Sequence, residues 1–554
     1  MSFFDDASLV FLPSGQAGKD GKAYSMKPTD GSGDFTFSRG SNLTATRVDS
    51  NGLIEKGREN LLLYSNGFNN WTNSNTSETS GQSGYDGSSD AWLLTKTAAS
   101  GFIFRSFSGS GVQTFSAYVK ANASTWGLLQ CIGGSNPYAY FDLGTGVVGS
   151  IGGGTISNSI EDVGGGWYRI SLIHNTTISS ARIYPAEANT ASGTSGSIYI
   201  QDAQAEIGLV ATEYIESGAT TGLAGLLEDS PRFDYSGGAS CSSLLLEGSM
   251  TNVWEYSEYL DYSFASVSSI TTTQNTTETL SPEGLYNATK LEGVGSWSLR
   301  DFIGGTDTGT WTISCYVKAV NASSNNTFRL SVGGNNFSSN LTATSEWQRF
   351  EFTFTNGGAS AAGLLRDTSS NDADLYIYGM QVEQSSHSTS YIPNHSGGSV
   401  TRAADVNTLL NQSGVIGQTA GTILFDAYFD EADKVNFSIS DSTSSNYILI
   451  DTTSGKQVFA RVQQGGSTQA TISTSGSFFT EGDRLKCAIA YDDRDMAFYI
   501  NGTQIGTAAP NFIPACDDVR FSRWNGALAA DQRVNRVLLF DTRISNGNLA
   551  TLTS

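Results

Sequence analysis

The residues of this chain that could bind sugars are aromatic side chains, with amides and carboxylates as polar partners. A sugar ring presents an apolar face, which packs on an aromatic plate, and a rim of hydroxyls, which pairs with a few polar groups. Six residues in three parts of the chain fit this pattern. They are Trp126, Tyr138 and Tyr140, then Trp297, and finally Trp524 with Asn525. For each of them the alternative is packing in a core or an interface.

Residues for hydrolysis or nucleophilic catalysis are sparse. Only three histidines occur, His174, His387 and His395, and none has the spacing of a zinc site. The strings "EADKVN" (431–436) and "EGDRLK" (481–486) lack the second glutamate of a glycosidase strand with paired carboxylates. The chain also has no Gly-x-Ser-x-Gly elbow and no phosphate-binding loop. We therefore expect a protein that is not an enzyme, unless carboxylates converge from distant strands.

Two acidic stretches could hold calcium, which binds carboxylates and carbonyls at the ends of strands. They are "DDRD" (Asp492–Asp495) and "SNDAD" (Ser370–Asp374). Acidic turns are usually solvated, so no cofactor or metal is predicted, with Ca²⁺ left as the alternative.

Charge and hydropathy argue against some classes of binding partner. The 31 basic and 53 acidic residues give a net charge of -22, which repels nucleic acid. No run of eighteen apolar residues predicts a membrane span, and the first residues, "MSFFDDASLVFLPSG", do not read as a secretory signal. The five cysteines are scattered and odd in number, so a disulfide framework is not expected.

The elements that must position these side chains are short strands. The chain has 62 glycines and no long amphipathic helical stretch, which favours an all-β class. Four pairs of segments recur in the same order, about 180 to 200 residues apart, so two copies of one domain are expected. The pairs are 59–71 with 251–263, 114–124 with 312–323, 165–172 with 345–352, and 197–215 with 374–392.

The alternation of apolar residues predicts which face each copy buries. Phe115, Ala117 and Val119 share one face of their strand, and the second copy alternates in the same way. In the fourth pair of segments the apolar phase changes, which predicts a bulge or kink near Asp202 and Gly379. Both copies are predicted to be jelly-roll β-sandwiches, and alternating strands from about residue 421 predict a third sandwich.

These patterns divide the chain into six parts. We expect an N-terminal docking or connector segment at 1–57, a first jelly roll at 58–217, a connector at 218–248, a second jelly roll at 249–394, a connector at 395–419 and a third sandwich at 420–554.

Several phrases resemble the connecting text of bacteriophage virion proteins. They are "SRGSNLTATRVDSNGLIEKGRENLLLYSNGFNNW" (Ser38–Trp71), "PRFDYSGGASCSSLLLEGSMTN" (Pro231–Asn252) and "SVTRAADVNTLLNQ" (Ser399–Gln412). In those proteins such text separates carbohydrate-binding-type jelly rolls from a concanavalin A-like, laminin-G-type domain. The final "RVNRVLLFDTRISNGNLATL" (Arg533–Leu552) resembles the closing strand and tail of that lectin-like domain.

The resemblance implies a structural or adhesive virion component, such as a tail fibre or a capsid fibre, displayed on the particle surface. Its expected partners are other virion proteins and a host-surface glycan, without nucleic acid or membrane insertion. Fibres are usually trimers, so a homo-oligomer is expected, although no part of this chain encodes three-fold symmetry. The alternatives are an architectural capsid cement or tail adaptor that binds no sugar, and a polysaccharide-degrading tailspike.

Overall fold

The computed structural model describes residues 3–15, 18–19, 21–40, 43–260, 266–301, 309–332, 336–356, 361–366, 372–527 and 529–554. The chain forms two compact units. Unit 1 comprises Met1–Glu55, Leu226–Met250 and Arg402–Ser554, and unit 2 comprises Lys56–Gly225 and Thr251–Thr401.

The regular elements are almost all strands. The two α-helices are α1 (Phe3–Asp6) and α2 (Asn546–Thr553) among the residues described. The strands up to residue 60 are β1 (Leu9–Phe11), β2 (Gly18–Lys19), β3 (Lys22–Ala23), β4 (Phe35–Ser38), β5 (Thr46–Val48) and β6 (Ile54–Asn60). The next strands are β7 (Thr72–Ser74), β8 (Thr76–Gln82), β9 (Ala91–Lys96), β10 (Phe102–Gly109), β11 (Val112–Ala121), β12 (Trp126–Gly133), β13 (Tyr138–Asp142), β14 (Val147–Gly152), β15 (Thr155–Gly164), β16 (Trp167–Asn175), β17 (Ile178–Ala186), β18 (Ser197–Ile207) and β19 (Gly222–Gly225).

The rest of the chain continues in the same way. Its first strands are β20 (Arg232–Asp234), β21 (Ser243–Leu246), β22 (Met250–Asn252), β23 (Ser266–Thr273), β24 (Thr289–Asp301), β25 (Gly309–Ala319), β26 (Thr327–Val332), β27 (Leu341–Thr342), β28 (Gln348–Asn356), β29 (Ala362–Arg366), β30 (Asp372–Glu383) and β31 (Val400–Arg402). The last are β32 (Val406–Leu409), β33 (Gly421–Phe429), β34 (Val435–Ser440), β35 (Tyr447–Thr452), β36 (Val458–Gln464), β37 (Ser467–Ser473), β38 (Asp483–Asp492), β39 (Asp495–Ile500), β40 (Thr503–Ala508), β41 (Asp518–Arg520) and β42 (Gln532–Phe540).

The first repeat in unit 2 is a sandwich of two six-stranded sheets. One sheet has the order β15-β16-β11-β18-β9-β8, and the other has the order β14-β13-β12-β17-β10-β7. Their inward side chains form one core, which includes Phe115, Ala117, Val119 and the free thiol of Cys131. The face that alternation predicted to be buried is therefore buried.

The second repeat follows the same strand order with one fusion. β25 lies between β28 and β30, as β11 lies between β16 and β18, and β26 pairs with β29 as β12 pairs with β17. The long strand β24 pairs with β30 through its first half and with β29 through its second half. It therefore occupies the places that β9 and β10 hold separately in the first repeat.

The predicted bulges are confirmed. The register of β11 with β18 shifts between Ser116 and Tyr118, and the register of β25 with β30 shifts between Ser314 and Tyr316. Asp202 and Gly379 lie opposite these shifts with φ of 50° and 66°. Each bulged strand can thus curve over its core.

Unit 1 is a sandwich of larger sheets. One sheet has the order β20-β21-β42-β33-β38-β39-β40 with β1 on β42, and the other has the order β2-β3-β4-β32-β41-β34-β35-β36-β37. Segments predicted as connectors supply β1, β4, β20, β21 and β32 to these sheets. Together with unit 2, these sheets confirm the predicted all-β class of tandem β-sandwiches.

A buried ionic cluster, here called the arginine hub, joins the connector segments inside unit 1. Arg39 Nη1 lies 3.1 Å from Asp405, and Arg232 also pairs with Asp405. Glu247 accepts from Arg232 and Arg402 at 2.7 Å each. The side chains of the three arginines and Asp405 have no exposed area. Buried charges require partners, so the arginine hub joins the three segments that carry Arg39, Arg232 and Arg402.

Candidate functional site

The outer face of one sheet in the first repeat carries a group of aromatic rings, here called the aromatic face. Its members alternate with core residues along four neighbouring strands, because successive side chains of a strand point to opposite sides. The aromatic face consists of Phe102 and Phe104 on β10, Trp126 on β12, Tyr138 and Tyr140 on β13, and Tyr184 on β17. Except for Tyr184, which is 6% exposed, these rings are half-buried.

Strand register places these rings next to one another. Leu128 of β12 lies opposite Tyr140 on one side and Tyr184 on the other. The ring of Tyr184 is 4.8 Å from that of Phe102, and the rings of Tyr138 and Tyr140 meet edge to face at 5.9 Å. The result is a nearly continuous apolar surface across four strands.

Polar groups lie within this surface. In the next row, Gln130 of β12 lies between Tyr138 and Arg182. The hydroxyl of Tyr184 donates to Gln130 Oε1 at 2.8 Å and accepts from Arg182 at 3.3 Å. The Arg182 guanidinium also lies 4.4 Å from the centre of the Phe102 ring. An amide and a guanidinium are thus held in place between aromatic plates.

Glycines of the edge strand β14 let two of the rings lie close to the backbone. A Cβ at Gly149 would come within 2.5 Å of the Trp126 ring, and one at Gly152 would come within 2.8 Å of the Tyr138 ring. Any larger residue would push these rings away, so the glycines set the shape of this end of the surface.

Burial also changes the pKa values of two tyrosines on the aromatic face. Burial raises the pKa of Tyr140, with a smaller effect of the neighbouring Tyr138 and Tyr184. Burial also raises the pKa of Tyr184, against the effect of Arg182. Both phenols therefore remain neutral near pH 7 and are able to donate hydrogen bonds.

The corresponding face of the second repeat is different. There, β24, β26 and β29 carry Ser298, Arg300, Arg329 and Leu365 on their partly exposed side, and the Phe337 ring from a neighbouring loop packs 4.6 Å from the Arg329 guanidinium. The aromatic face is therefore a feature of one repeat and not of the shared fold.

A groove of about 400 Å³ is a second candidate surface in unit 2. Ser159 and Glu161 of β15 and Arg169 of β16 line one side, and Leu280 and Tyr286 from the second repeat line the other. Tyr286 is 50% exposed. Hydroxyls, one charge of each sign and an exposed ring suit a polar ligand with an apolar face.

The six sequence-predicted residues have different fates. Trp126, Tyr138 and Tyr140 meet on the aromatic face. Trp297 is 2% exposed and belongs to the core of the second repeat, so it cannot contact a surface ligand, and the packing alternative holds for it. In unit 1, Trp524 stacks on Tyr447 at 4.7 Å, and the Asn525 side chain accepts from the Ala527 amide within its own turn.

Sequence reasoning missed Phe102, Gln130, Arg182 and Tyr184. The strings "FIFRSF", "GLLQC" and "ARIYPA" show the same alternation as the strands that were used, which was the available signal. Only the pairing of β12 with β17, about fifty residues later, brings them together.

Neither the histidines nor the acidic stretches form a metal centre among the described residues, where no group of three or more potential ligands occurs. His174 is a buried residue of β16, and burial lowers its pKa to about 4. Asp495 pairs with Arg543 at 3.0 Å, and Asp492 is exposed. Ser370 and Asn371 of the other acidic stretch lie outside the described residues.

No helix within the described ranges is both long and apolar enough to span a membrane.

Comparison with known proteins finds solved structures that are similar to part of this chain at low sequence identity and low TM-score. Neither a protein-family model nor a curated protein matches it. A carbohydrate-binding module (CBM40) of the Ruminococcus gnavus IT-sialidase, bound to α2,3 sialyllactose, is 16% identical with a TM-score of 0.23, covering 25% of this chain and 84% of that chain.

Two further solved structures are similar in the same degree. The NanB sialidase from Streptococcus pneumoniae is 16% identical with a TM-score of 0.22, covering 25% of this chain and 24% of that chain. A SAP-like pentraxin from Limulus polyphemus is 18% identical with a TM-score of 0.20, covering 25% of this chain and 70% of that chain. Likenesses this low carry no argument about function.

Proposed function

We propose that this protein is a non-enzymatic, glycan-binding component of a bacteriophage particle, displayed on the particle surface as a tail or capsid fibre. The observation that supports glycan binding is the aromatic face, where Trp126, Tyr138 and Tyr140 lie beside the fixed polar groups of Gln130 and Arg182. Location on the particle rests on the phage-like phrases at Ser38–Trp71, Pro231–Asn252 and Ser399–Gln412.

Binding would use the rings as plates for the apolar side of a sugar. Tyrosine and tryptophan offer large contact areas at small cost in conformational entropy, and they dominate many binding sites. Gln130 offers both an acceptor and a donor, and Arg182 offers only donors. A sugar that carries a carboxylate would gain most from Arg182.

A glycan array on the purified protein tests the binding function. Trp126→Ala and Tyr140→Ala are each expected to reduce binding at least tenfold, since each removes an aromatic contact worth about 1.4 kcal/mol or more. Tyr286→Ala separates the groove from the aromatic face, and loss of binding in that variant alone would move the site to the groove. Phe512→Ala, at a residue of unit 1 that is 62% exposed, is the matched aromatic control.

Blank arrays across host-surface glycans would contradict sugar recognition and favour an architectural cement or adaptor. Release of reducing ends from host polysaccharide would contradict the non-enzymatic assignment and favour a tailspike. Antibodies against the protein that fail to label intact particles would contradict the virion location.

A further inference from the structure

A buried group of polar side chains that differs from those of the aromatic face and the groove lining lies in unit 2. Its centre is the amine of Lys56 on β6, which lies 3.0 Å from Glu258 Oε1 and 3.2 Å from Glu283 Oε2. The Lys56 side chain is 8% exposed, and those of Glu258 and Glu283 are 0% and 1% exposed. We call Lys56, Glu258, Glu283 and Asn287 the lysine cluster.

Asn287 touches the same two carboxylates as Lys56. Its Nδ2 donates to Glu258 Oε2 at 3.1 Å and to Glu283 Oε2 at 2.9 Å. Each carboxylate therefore bridges an amine and a side-chain amide. Asn287 Oδ1 is buried and accepts no hydrogen bond from the described residues. A buried carbonyl without a donor is uncommon and needs a reason.

Two tyrosines hold the carboxylates in place. The hydroxyl of Tyr378 lies 3.1 Å from Glu258 Oε1 and 2.9 Å from Glu283 Oε2, so its one proton is shared between them, and that of Tyr391 donates to Glu258 Oε1 at 2.9 Å. Arg58 also pairs with Glu283, and His395 lies 3.5 Å from Glu258. Groups fixed in this way react as if at very high local concentration, and bulk water is kept out.

We propose that Lys56 and Asn287 join in an intramolecular isopeptide bond, and that Glu258 and Glu283 move the protons. The Lys56 ammonium first passes a proton to a carboxylate, and the freed lone pair of Nζ attacks Asn287 Cγ. The Nζ–Cγ bond forms as the Cγ–Nδ2 bond breaks. Nδ2 takes a proton from the carboxylic acid and leaves as ammonia. Nζ gives its second proton to the other carboxylate, so the products are one secondary amide, one ammonia and one proton held by that carboxylate, without an oxidant or a reductant.

The resting charges set the first step. Burial opposes the charge on Lys56, but the fields of Glu258 and Glu283 outweigh it and raise the pKa of this amine. The amine is therefore protonated near pH 7, and a neighbouring base must accept its proton before attack. The two carboxylates in contact with Nζ provide that base. Once formed, the amide removes a buried ammonium that is costly to desolvate.

Denaturing mass spectrometry of the full-length protein tests the bond without any variant. The expected mass is that of the sequence minus one ammonia. Trypsin should fail to cut after Lys56, and the peptide 48–58 should be found joined to the peptide 233–290, which contains Asn287. An asparagine that cyclises alone also loses ammonia, but it leaves these two peptides separate.

Two variants check the chemistry. Lys56→Arg keeps a buried positive charge and should restore the full mass with separate peptides. Glu283→Gln keeps the shape but removes one proton carrier, so it should lower the cross-linked fraction at least tenfold. Wild-type protein that is folded by circular dichroism, has the full sequence mass and is cut after Lys56 would overturn the proposal. This outcome is distinguishable from failure of glycan binding, which involves other residues.

Discussion

At the scale of single residues, the aromatic face illustrates how a sheet can expose rings at modest cost. The buried ring of Tyr184 packs on Phe102, while Phe102, Trp126 and Tyr140 stay half-buried. The guanidinium of Arg182 lies over the Phe102 ring and also donates to the Tyr184 hydroxyl, so two contacts fix its position. Rings that are already ordered lose little freedom when a ligand binds.

Trp297 is expected to show the opposite behaviour to Trp126. Trp297→Ala should lower the free energy of unfolding by about 3–5 kcal/mol because it leaves a large cavity in the core, while glycan binding by the folded fraction stays unchanged. Urea unfolding and the glycan array check the two halves. Loss of binding with unchanged stability would place Trp297 at a ligand after all.

His174 predicts a pH dependence of stability. Burial lowers its pKa to about 4, below its ordinary value of 6.5. Between these values the unfolded chain binds a proton that the folded protein does not, so stability is present above pH 6.5 and is lost as pH falls towards 4. The loss from this group is about 3 kcal/mol.

Urea unfolding at pH 7 and at pH 4 measures this loss. His174→Gln should reduce the difference between the two pH values, while His387→Gln, at a half-buried loop position, should leave it unchanged. An equal difference in stability between pH 7 and pH 4 in all three proteins would assign the pH dependence to carboxylates.

At the scale of elements, segments that read as connectors behave as parts of sheets. β4 pairs with β32, and β21 pairs with β42, although the partners are hundreds of residues apart. The arginine hub links these segments, because each brings one arginine to Glu247 or Asp405.

Removing one charge from the hub should destabilise unit 1 strongly. Asp405→Asn removes the buried carboxylate that Arg39 and Arg232 share and is expected to cost about 3–5 kcal/mol. Asp430→Asn breaks the more exposed pair with Arg533 and should cost less than about 1 kcal/mol. Thermal unfolding followed by circular dichroism compares them, and similar melting points would show that the hub adds no stability.

The first pair of recurring segments also contains a buried hydrogen-bond network that the sequence analysis did not predict. Asn60 donates to the carbonyls of Ala203 and Ile215, and Asn252 donates to those of Met380 and Ile392. Both asparagines lie in recurring segments, which joins the repetition in sequence to repetition in hydrogen bonding.

At the scale of the whole molecule, one sandwich occurs twice with different surfaces. The first repeat carries the aromatic face, whereas the matching strands of the second repeat carry Arg300 and Arg329. The proposed glycan-binding surface therefore occurs in one of the two repeats.

A fibre role predicts an oligomer. Sedimentation equilibrium should give a mass that is a multiple of the 58.7 kDa chain, with three chains as the expected number for a fibre. A single-chain mass across the micromolar range would contradict assembly by this chain alone.

Local sequence patterns were sufficient to predict the class of fold and the buried face of strands such as β11. Alternation along β11 identified its buried face, and the phase change near Asp202 and Gly379 identified the bulges, because a strand exposes its two faces in turn wherever it lies. Part of the aromatic face was predicted from residue type, since Trp126, Tyr138 and Tyr140 are aromatic and close in the chain.

Tertiary structure alone decided which distant residues meet. Trp297 and Trp126 read alike in sequence, yet one fills a core and the other lies on a surface, because the long strand β24 turns the first inward. Arg182 reaches Tyr184 and Gln130, and Lys56 and Asn287 reach shared carboxylates, only through pairings of strands and loops that no local period encodes. The sequence by itself determines the preference of each segment for a strand and a buried side, whereas long-range packing selects the neighbours.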